Sequence, residues 1–214
     1  MSDARDAVLG AGRARLGRRG GEPVRLPDEL RAPVPAAPAA SADLVARFCD
    51  ALASAGGHAH VARGETAAAE LLAAIAAETG ARRVALSDSA LVARLAAPLD
   101  LERVPHDAER ATLLAADLGL TEARWAIAET GTVVLASDRE RSRVVSLLPP
   151  VHVAIVRVSD VLAGLGDALA AIERERAAAY TFVTGPSRSA DIEMQLVVGV
   201  HGPALFHAIV LEEP

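Results

Sequence analysis

Three segments of the chain place glycine or proline beside polar side chains, a combination typical of ligand-binding loops. They are residues 128–132 (AETGT), 184–193 (TGPSRSADIE) and 199–203 (GVHGP). Each lies at the end of a segment with strand-like sequence, and open α/β sheets bind their ligands beyond strand ends. The sequence therefore predicts one ligand site, built by the C-terminal half of the chain.

The second segment has the features of a turn between a strand and a helix. Gly185 allows a sharp backbone turn and Pro186 fixes φ, so the strand should end at this point. Ser187 or Ser189 is then placed to cap a following helix. The free N–H groups and the positive dipole end of such a helix favour a bound anion.

Arg188 adds a cation to the same segment, and its guanidinium can grip a carboxylate or phosphate with two hydrogen bonds. Asp191 and Glu193 follow it. On a helix these two carboxylates would point to different faces, so that one faces the site and the other solvent. The alternative is a purely structural role, in which Arg188 pairs with Asp191 or Glu193.

The first and third segments contain side chains that could react. Glu129, just before a glycine turn, is a candidate general base or covalent nucleophile; the alternative is a carboxylate that only caps backbone N–H groups. Thr130, Gly131 and Thr132 are expected to hydrogen-bond a ligand. His201 and Gly202 lie on an irregular loop, which favours contact with a ligand.

The remaining histidines are interpreted as structural. His58 and His60 would share one face of a strand, a spacing compatible with a metal, but no third ligand is evident nearby. His152 and His207 fall within predicted strands and are expected in the core or at a sheet edge. We therefore expect this chain to bind no metal.

The chain divides into an N-terminal arm, residues 1–40, and an α/β domain, residues 41–214. The arm combines a weak amphipathic pattern with five prolines between Gly20 and Ser41, which forbid a continuous helix there. Beyond it, helical and strand-like segments alternate. This alternation is typical of βαβ units and predicts a three-layer fold, with a mostly parallel sheet and helices on both faces.

Several local features refine this prediction. Residues 108–118 read as a helix closed by Gly119, and residues 161–176 as a helix capped by Ser159 or Asp160. Residues 125–136 read as an antiparallel hairpin that turns at Gly131. The charged residues 138–143 are expected to form a solvated turn.

Composition narrows the class of protein. The formal net charge is −6, with one Trp, one Tyr and three Phe, so a nucleic-acid partner is not expected. The single cysteine, Cys49, cannot form an intramolecular disulfide or hold a thiolate cluster. No secretory signal or membrane span is evident, which predicts a cytoplasmic protein.

Four motifs in this order resemble those of the LUD-domain family. They are AETGTVVL (128–135), SLLPPVHVAIV (146–156), GPSRSADIE (185–193) and GVHGP (199–203). The resemblance is dense over roughly the last hundred residues and weaker before them, where only the helix–strand rhythm agrees. Ser189 stands where the family more often has threonine, and the hydroxyl is retained.

The resemblance implies a fold similar to the sugar-phosphate isomerase, CoA-transferase and formyltetrahydrofolate cyclo-ligase group. It also implies a part in oxidising L-lactate to pyruvate, together with iron–sulfur partner proteins that hold the clusters. This chain would then bind no cofactor of its own and receive a small carboxylate or phosphate. Self-association into a homo-oligomer is compatible with this interpretation.

Two other functions remain open at this point. The chain could be a stand-alone group-transfer or isomerising enzyme that uses Glu129 and Arg188 on a phosphorylated, CoA-linked or folate-type substrate. It could also be a non-catalytic assembly module that docks through residues 1–40, in which case deleting them would abolish partner binding.

Overall fold

The structure is a computed structural model that describes residues 10–11, 14–15, 41–175, 177–190 and 196–213. By its contacts the chain forms two units, residues 1–35 and 36–214. In the first unit the four described residues are helical. The expected proline-rich stretch lies outside the described residues.

The second unit is built around a six-stranded parallel sheet. In spatial order its strands are β1, β12, β7, β4, β2 and β3. Their bounds are His58–Arg63 for β1, Arg83–Leu86 for β2, Glu102–Pro105 for β3, Leu118–Glu122 for β4, Val151–Arg157 for β7 and Leu205–Glu212 for β12. β7 lies between β12 and β4, and six of its seven residues are buried. A strand covered on both faces needs such a nearly continuous apolar run.

Helices cover both faces of this sheet, as predicted. Helices α2 (Gly64–Thr79) and α3 (Ala90–Ala96) pack on one face through Leu72, Ile75 and Leu95. Helices α1 (Ser41–Ser54), α4 (Arg110–Leu114) and α6 (Val144–Leu147) contribute to the hydrophobic clusters on the other. The apolar residues of β7 and β12 alternate between the clusters on the two faces, which is the period-two pattern of a strand.

The hairpin predicted at residues 125–136 is confirmed, but it belongs to a separate, four-stranded sheet. Strands β5 (Trp125–Ile127) and β6 (Thr132–Ala136) form it, with β8 (Val161–Leu162) and β9 (Tyr180–Val183) beside them. One face of this sheet packs on α1, and helix α7 (Leu165–Glu175) covers the other. Helix α1 therefore lies between two sheets.

Two of the helix predictions are wrong in part. Residues 108–118 contain only the five-residue α4, and Leu118 begins β4, an interior strand whose five residues are all buried. This strand position requires glycine, because the carbonyl of Val145 packs against the backbone of Gly119. A Cβ at residue 119 would overlap the carbonyl oxygen of Val145. Residues 158–162 form a 3-10 turn and β8, so α7 begins only at Leu165 and Ser159 does not cap it.

The segment 137–143 is not a fully solvated turn. Ser137–Glu140 forms the short helix α5, and Glu140 is buried with its carboxylate accepting a hydrogen bond from Ser146. Burial raises the pKa of Glu140, against the lowering effects of the Ser146 hydrogen bond and the Arg143 charge. Charge patterning alone does not distinguish such a buried acid from its exposed neighbours.

No helix within the described ranges combines the length and the hydropathy that a membrane-spanning helix requires.

Candidate functional site

The turn of the β5–β6 hairpin packs directly against the backbone of α1. Gly131 has φ +65°, and a Cβ at this position would overlap the backbone nitrogen of Leu52. Glycine is therefore required here for two reasons, the left-handed conformation and the close approach. The AETGT turn is held at the C-terminal end of α1 as a result.

A row of three threonine hydroxyls links this turn to the second predicted segment. Oγ1 of Thr132 lies 2.7 Å from Oγ1 of Thr130 and 2.6 Å from Oγ1 of Thr184. Thr132 is buried, whereas Thr130 and Thr184 are exposed. The structure thus brings together two motifs more than fifty residues apart in the sequence.

Arg188 reaches the same end of α1 from β10 (Arg188–Ala190). Its Nη2 donates a hydrogen bond to the carbonyl of Ala55, one of the acceptors left unpaired where a helix ends. Gly56 leaves room for the guanidinium, because a Cβ there would overlap Nη2 of Arg188. At Gly185, with φ +74°, a Cβ would lie 2.6 Å from the carbonyl oxygen of Ala55.

The third segment joins the second through backbone hydrogen bonds. The Ser187 N–H donates to the carbonyl of Pro203 at 2.9 Å, and the Gly199 N–H donates to the carbonyl of Ser187 at 2.9 Å. A Cβ at Gly202 would lie 3.0 Å from the Cβ of Ser187. His201, between these contacts, is exposed.

We call these residues the motif cluster: Thr130, Gly131, Thr132, Thr184, Gly185, Pro186, Ser187, Arg188, His201 and Gly202. The structure confirms the prediction that the three segments meet. It does not confirm the predicted helix after Ser187, since β10 pairs in antiparallel fashion with β11 (Leu196–Val198). Ser189 lies in β10, while Asp191 and Glu193 lie outside the described residues.

Losing that helix changes the physical basis of the predicted anion site. Within the described residues, no N–H groups of a helix start after Ser187 are available to bind an anion. The C-terminal end of α1, which is the negative end of its dipole, lies beside Arg188 instead. Arg188 is the cation that offsets this end of the dipole. For the residues described, the predicted anion site therefore depends on the exposed guanidinium of Arg188.

Glu129 lies at the rim of the hairpin, beside the start of α7. Its Oε2 accepts a hydrogen bond from the backbone N–H of Leu165 at 3.3 Å, and its own N–H donates to the carbonyl of Ala163. This is the capping arrangement given above as the alternative to catalysis. A catalytic role for the exposed Glu129 remains a prediction.

The structure also shows a second polar cluster, at the carboxyl ends of the parallel strands, that the sequence did not indicate. Glu122 ends β4 and is 7% exposed. Its carboxylate accepts hydrogen bonds from Arg139 (2.9 Å), from Arg157 and from Ser89. We call these four residues the strand-end cluster.

Charge and burial oppose each other at Glu122. Burial disfavours the ionised form, but the hydrogen bonds from Ser89 and Arg157 and the charges of Arg139 and Arg157 outweigh it, so the pKa of Glu122 is lowered. The carboxylate therefore stays ionised and fixes the two arginines. No local signal could have revealed it, because its arginine partners are 17 and 35 residues away.

The histidines of β1 and β12 form a stack on one face of the sheet, as predicted for the HxH pair. The ring centroids of His58 and His207 are 4.8 Å apart, and Nε2 of His60 lies 3.1 Å from Nδ1 of His207. Burial, followed by the charges of His58 and His60, lowers the pKa of His207 to about 4. Within the described residues, no three histidine, cysteine or acidic side chains are arranged to hold a metal.

The interior histidine behaves as a neutral core residue. His152 is fully buried, with Nε2 2.9 Å from the hydroxyl of Thr121 and its ring beside that of Phe206. Burial lowers its pKa to about 3. A structural role for His152 follows from these contacts.

The fold and its motifs define an α/β protein with a parallel six-stranded sheet and an appended antiparallel sheet. Comparison with known families places the chain within this class: the model of the LUD domain matches residues 45–211. The chain belongs to the LUD-domain family.

Curated relatives carry a common name. The chain is 45% identical over 104 residues to lactate utilization protein C of Bacillus licheniformis, an alignment that covers 46% of this chain and 43% of the relative. It is 43% identical over 118 residues to lactate utilization protein C of Halalkalibacterium halodurans, covering 52% and 49%. The chain thus aligns with about half the length of the relatives it matches.

A solved structure shares the fold. The crystal structure of a DUF162 family protein from Deinococcus radiodurans has a TM-score of 0.59 and 28% sequence identity to this chain. The superposition covers 81% of this chain and 99% of that one. The similarity therefore extends over the α/β architecture and not over the C-terminal motifs alone.

Proposed function

We propose that the chain takes part in lactate utilization as a cluster-free subunit of a system that oxidises L-lactate to pyruvate. Membership of the LUD-domain family and the shared name of the relatives support the pathway. The observation that carries the molecular part is the convergence of three distant motifs beside one exposed arginine, Arg188.

The motif cluster has the groups that a small hydroxy acid would use. A guanidinium carries five N–H donors, and the contact to Ala55 occupies one nitrogen of Arg188, so others remain for a carboxylate. The exposed hydroxyl of Thr130 and the exposed imidazole of His201 are candidates to meet the substrate hydroxyl. Arg188 would bind and orient the acid.

The oxidation itself requires an electron acceptor. Converting lactate to pyruvate removes two electrons and two protons from the hydroxyl-bearing carbon and its hydroxyl group. Protein iron–sulfur clusters are usually held by about four cysteines, and this chain has only Cys49. We therefore assign the clusters, and with them electron acceptance, to iron–sulfur partner proteins.

Calorimetric titration of the full chain with L-lactate and pyruvate tests the binding part. Replacing Arg188 with alanine removes charge-assisted hydrogen bonds and should weaken the affinity by about 1.5–3 kcal/mol. Arg174→Ala is the matched control, because Arg174 is exposed on α7, away from the motif cluster. Equal affinity in the wild type and Arg188→Ala would remove Arg188 from the site.

Reconstitution tests the partner part. The purified chain is mixed with candidate iron–sulfur partner proteins, and lactate-dependent reduction of a dye is followed with and without this chain. We expect full activity only in the complete mixture, and a large loss when Arg188→Ala replaces the wild type. Full activity without this chain would refute its assignment as a subunit.

A further inference from the structure

The carboxyl ends of β2 and β3 form the floor of an open cleft of about 510 Å³. It is lined by residues from the loop after β2, the first turn of α3 and the end of β3, among them Ser87, Asp88, Ala90, Ala93, Arg103 and His106. Small-molecule sites commonly occupy roughly 300–1,000 Å³, so a molecule of drug or nucleotide size fits. None of these residues belongs to the motifs that the sequence pattern indicates as ligand-binding.

The cleft adjoins the point where the chain connections run in opposite directions along the sheet. Strands β2 and β4 are neighbours in the sheet. The chain passes from β2 to β3 on one side, and from β4 to β7 on the opposite side. Open α/β sheets place ligands beyond the carboxyl ends of strands at such a switch point. Ser89 bridges this switch point by donating a hydrogen bond to Glu122, so the strand-end cluster lies beside the cleft.

One buried hydroxyl in the cleft wall is unsatisfied. Ser87 is 5% exposed, and its Oγ has no hydrogen-bond partner among the described residues. A buried hydroxyl without a partner destabilises the fold. A hydroxyl-rich ligand in this cleft would supply the missing partner after a small side-chain adjustment.

The walls of the cleft differ in chemistry. On one side, the exposed carboxylate of Asp88 is held by Arg141, with Nε of Arg141 3.1 Å from Oδ2. On the other side are Arg103, whose Nη1 donates to the carbonyls of Ala96 and Ala97, and the imidazole of His106. Ala90 and Ala93, one helical turn apart on α3, contribute a small apolar strip to the lining of the cleft.

We propose that this cleft binds the ribose and phosphate of a ribonucleotide. Oδ1 of Asp88 would accept a hydrogen bond from the ribose diol, and the free nitrogens of Arg103 would bind the phosphate. The apolar strip of Ala90 and Ala93 would carry the flat face of the base. The site is distinct from the motif cluster and does not rest on the proposed function.

Calorimetry of the full chain with AMP tests this assignment. The variant Ala93→Phe fills the cleft from an exposed helix position, and it should weaken AMP binding by at least tenfold. Ala77→Phe is the matched control, since Ala77 is exposed on α2 and outside the cleft, and it should bind AMP as the wild type does. Circular dichroism checks that both variants fold.

Ligand variants test the predicted contacts. The dideoxy form of AMP, without the 2′ and 3′ hydroxyls, should bind at least tenfold more weakly to the wild type and show no such difference in Asp88→Ala. Ribose 5-phosphate distinguishes a nucleotide from a free sugar phosphate as the ligand. An affinity equal to that of AMP would identify a free sugar phosphate, and a lower affinity would identify a nucleotide.

Two results would overturn the proposal. One is the absence of AMP and ribose 5-phosphate binding to the wild type at millimolar concentrations. The other is AMP binding that Ala93→Phe leaves unchanged. Lactate titration of Ala93→Phe separates this proposal from the proposed function, because a filled cleft should not affect the motif cluster.

Discussion

Nη1 of Arg139 lies 2.9 Å from Oε1 of Glu122, so a residue of the short helix α5 is fastened to the end of β4 inside the parallel sheet. Arg157, at the end of β7, donates to the same carboxylate oxygen. The buried Glu122 thereby connects α5, β4 and β7, which are separate elements in the sequence.

This arrangement predicts a large loss of stability in Glu122→Gln. The two arginines, each about 30% exposed, would lose the charge that compensates them, and breaking a buried ion pair costs about 3 kcal/mol or more. Urea unfolding at pH 7 measures the effect. Glu213→Gln removes the exposed partner of Arg157 and should cost less than about 1 kcal/mol. Equal costs for the two variants would contradict this account.

The histidine stack predicts a loss of stability in mild acid. Because the folded pKa of His207 is about 4, below the ordinary value of 6.5, the unfolded chain binds a proton at pH values where the folded chain does not. The free energy of unfolding should therefore fall as the pH drops from about 6.5 towards 4. In His207→Asn this part of the pH dependence should disappear.

The matched control is His201→Asn, which changes an exposed histidine outside the stack. Urea unfolding at several pH values between 7 and 4 should give the wild-type profile for this variant. His152 adds a second contribution that also begins near pH 6.5 and continues down to about pH 3, since its folded pKa is about 3. A profile of His207→Asn that matches the wild type would show that the stack does not remain neutral on folding.

The sequence predicted most of the helix–strand alternation because hydrophobic periodicity and caps are local signals. It also predicted that residues near Thr132, Thr184 and Ser187 meet, since glycine and proline mark strand ends. It missed β4, because LGLTE carries a glycine that only the approach of Val145 explains. The strand-end cluster was invisible for a related reason: its side chains meet only after the strands are ordered in the sheet.

Two glycines, Gly131 and Gly166, should respond in opposite ways to alanine. Gly131→Ala should destabilise the fold by roughly 2–4 kcal/mol, because it combines a left-handed φ with overlap of the α1 backbone. Gly166→Ala should stabilise α7 by up to about 1 kcal/mol, since a Cβ there has no neighbour within 4 Å. Thermal unfolding of both variants tests the contrast, and similar melting temperatures would contradict it.

Arg141 is strained at the mouth of the proposed nucleotide cleft. Among the described residues other than glycine, only Arg141 has a positive φ, with φ 55° and ψ −48°. Its side chain pairs with Asp88. Arg141→Ala and Arg141→Gly both remove the ion pair, but only glycine also relieves the backbone. We therefore expect the glycine variant to be more stable than the alanine variant by about 1 kcal/mol in urea unfolding. If alanine is the more stable of the two, the backbone at position 141 is not under strain.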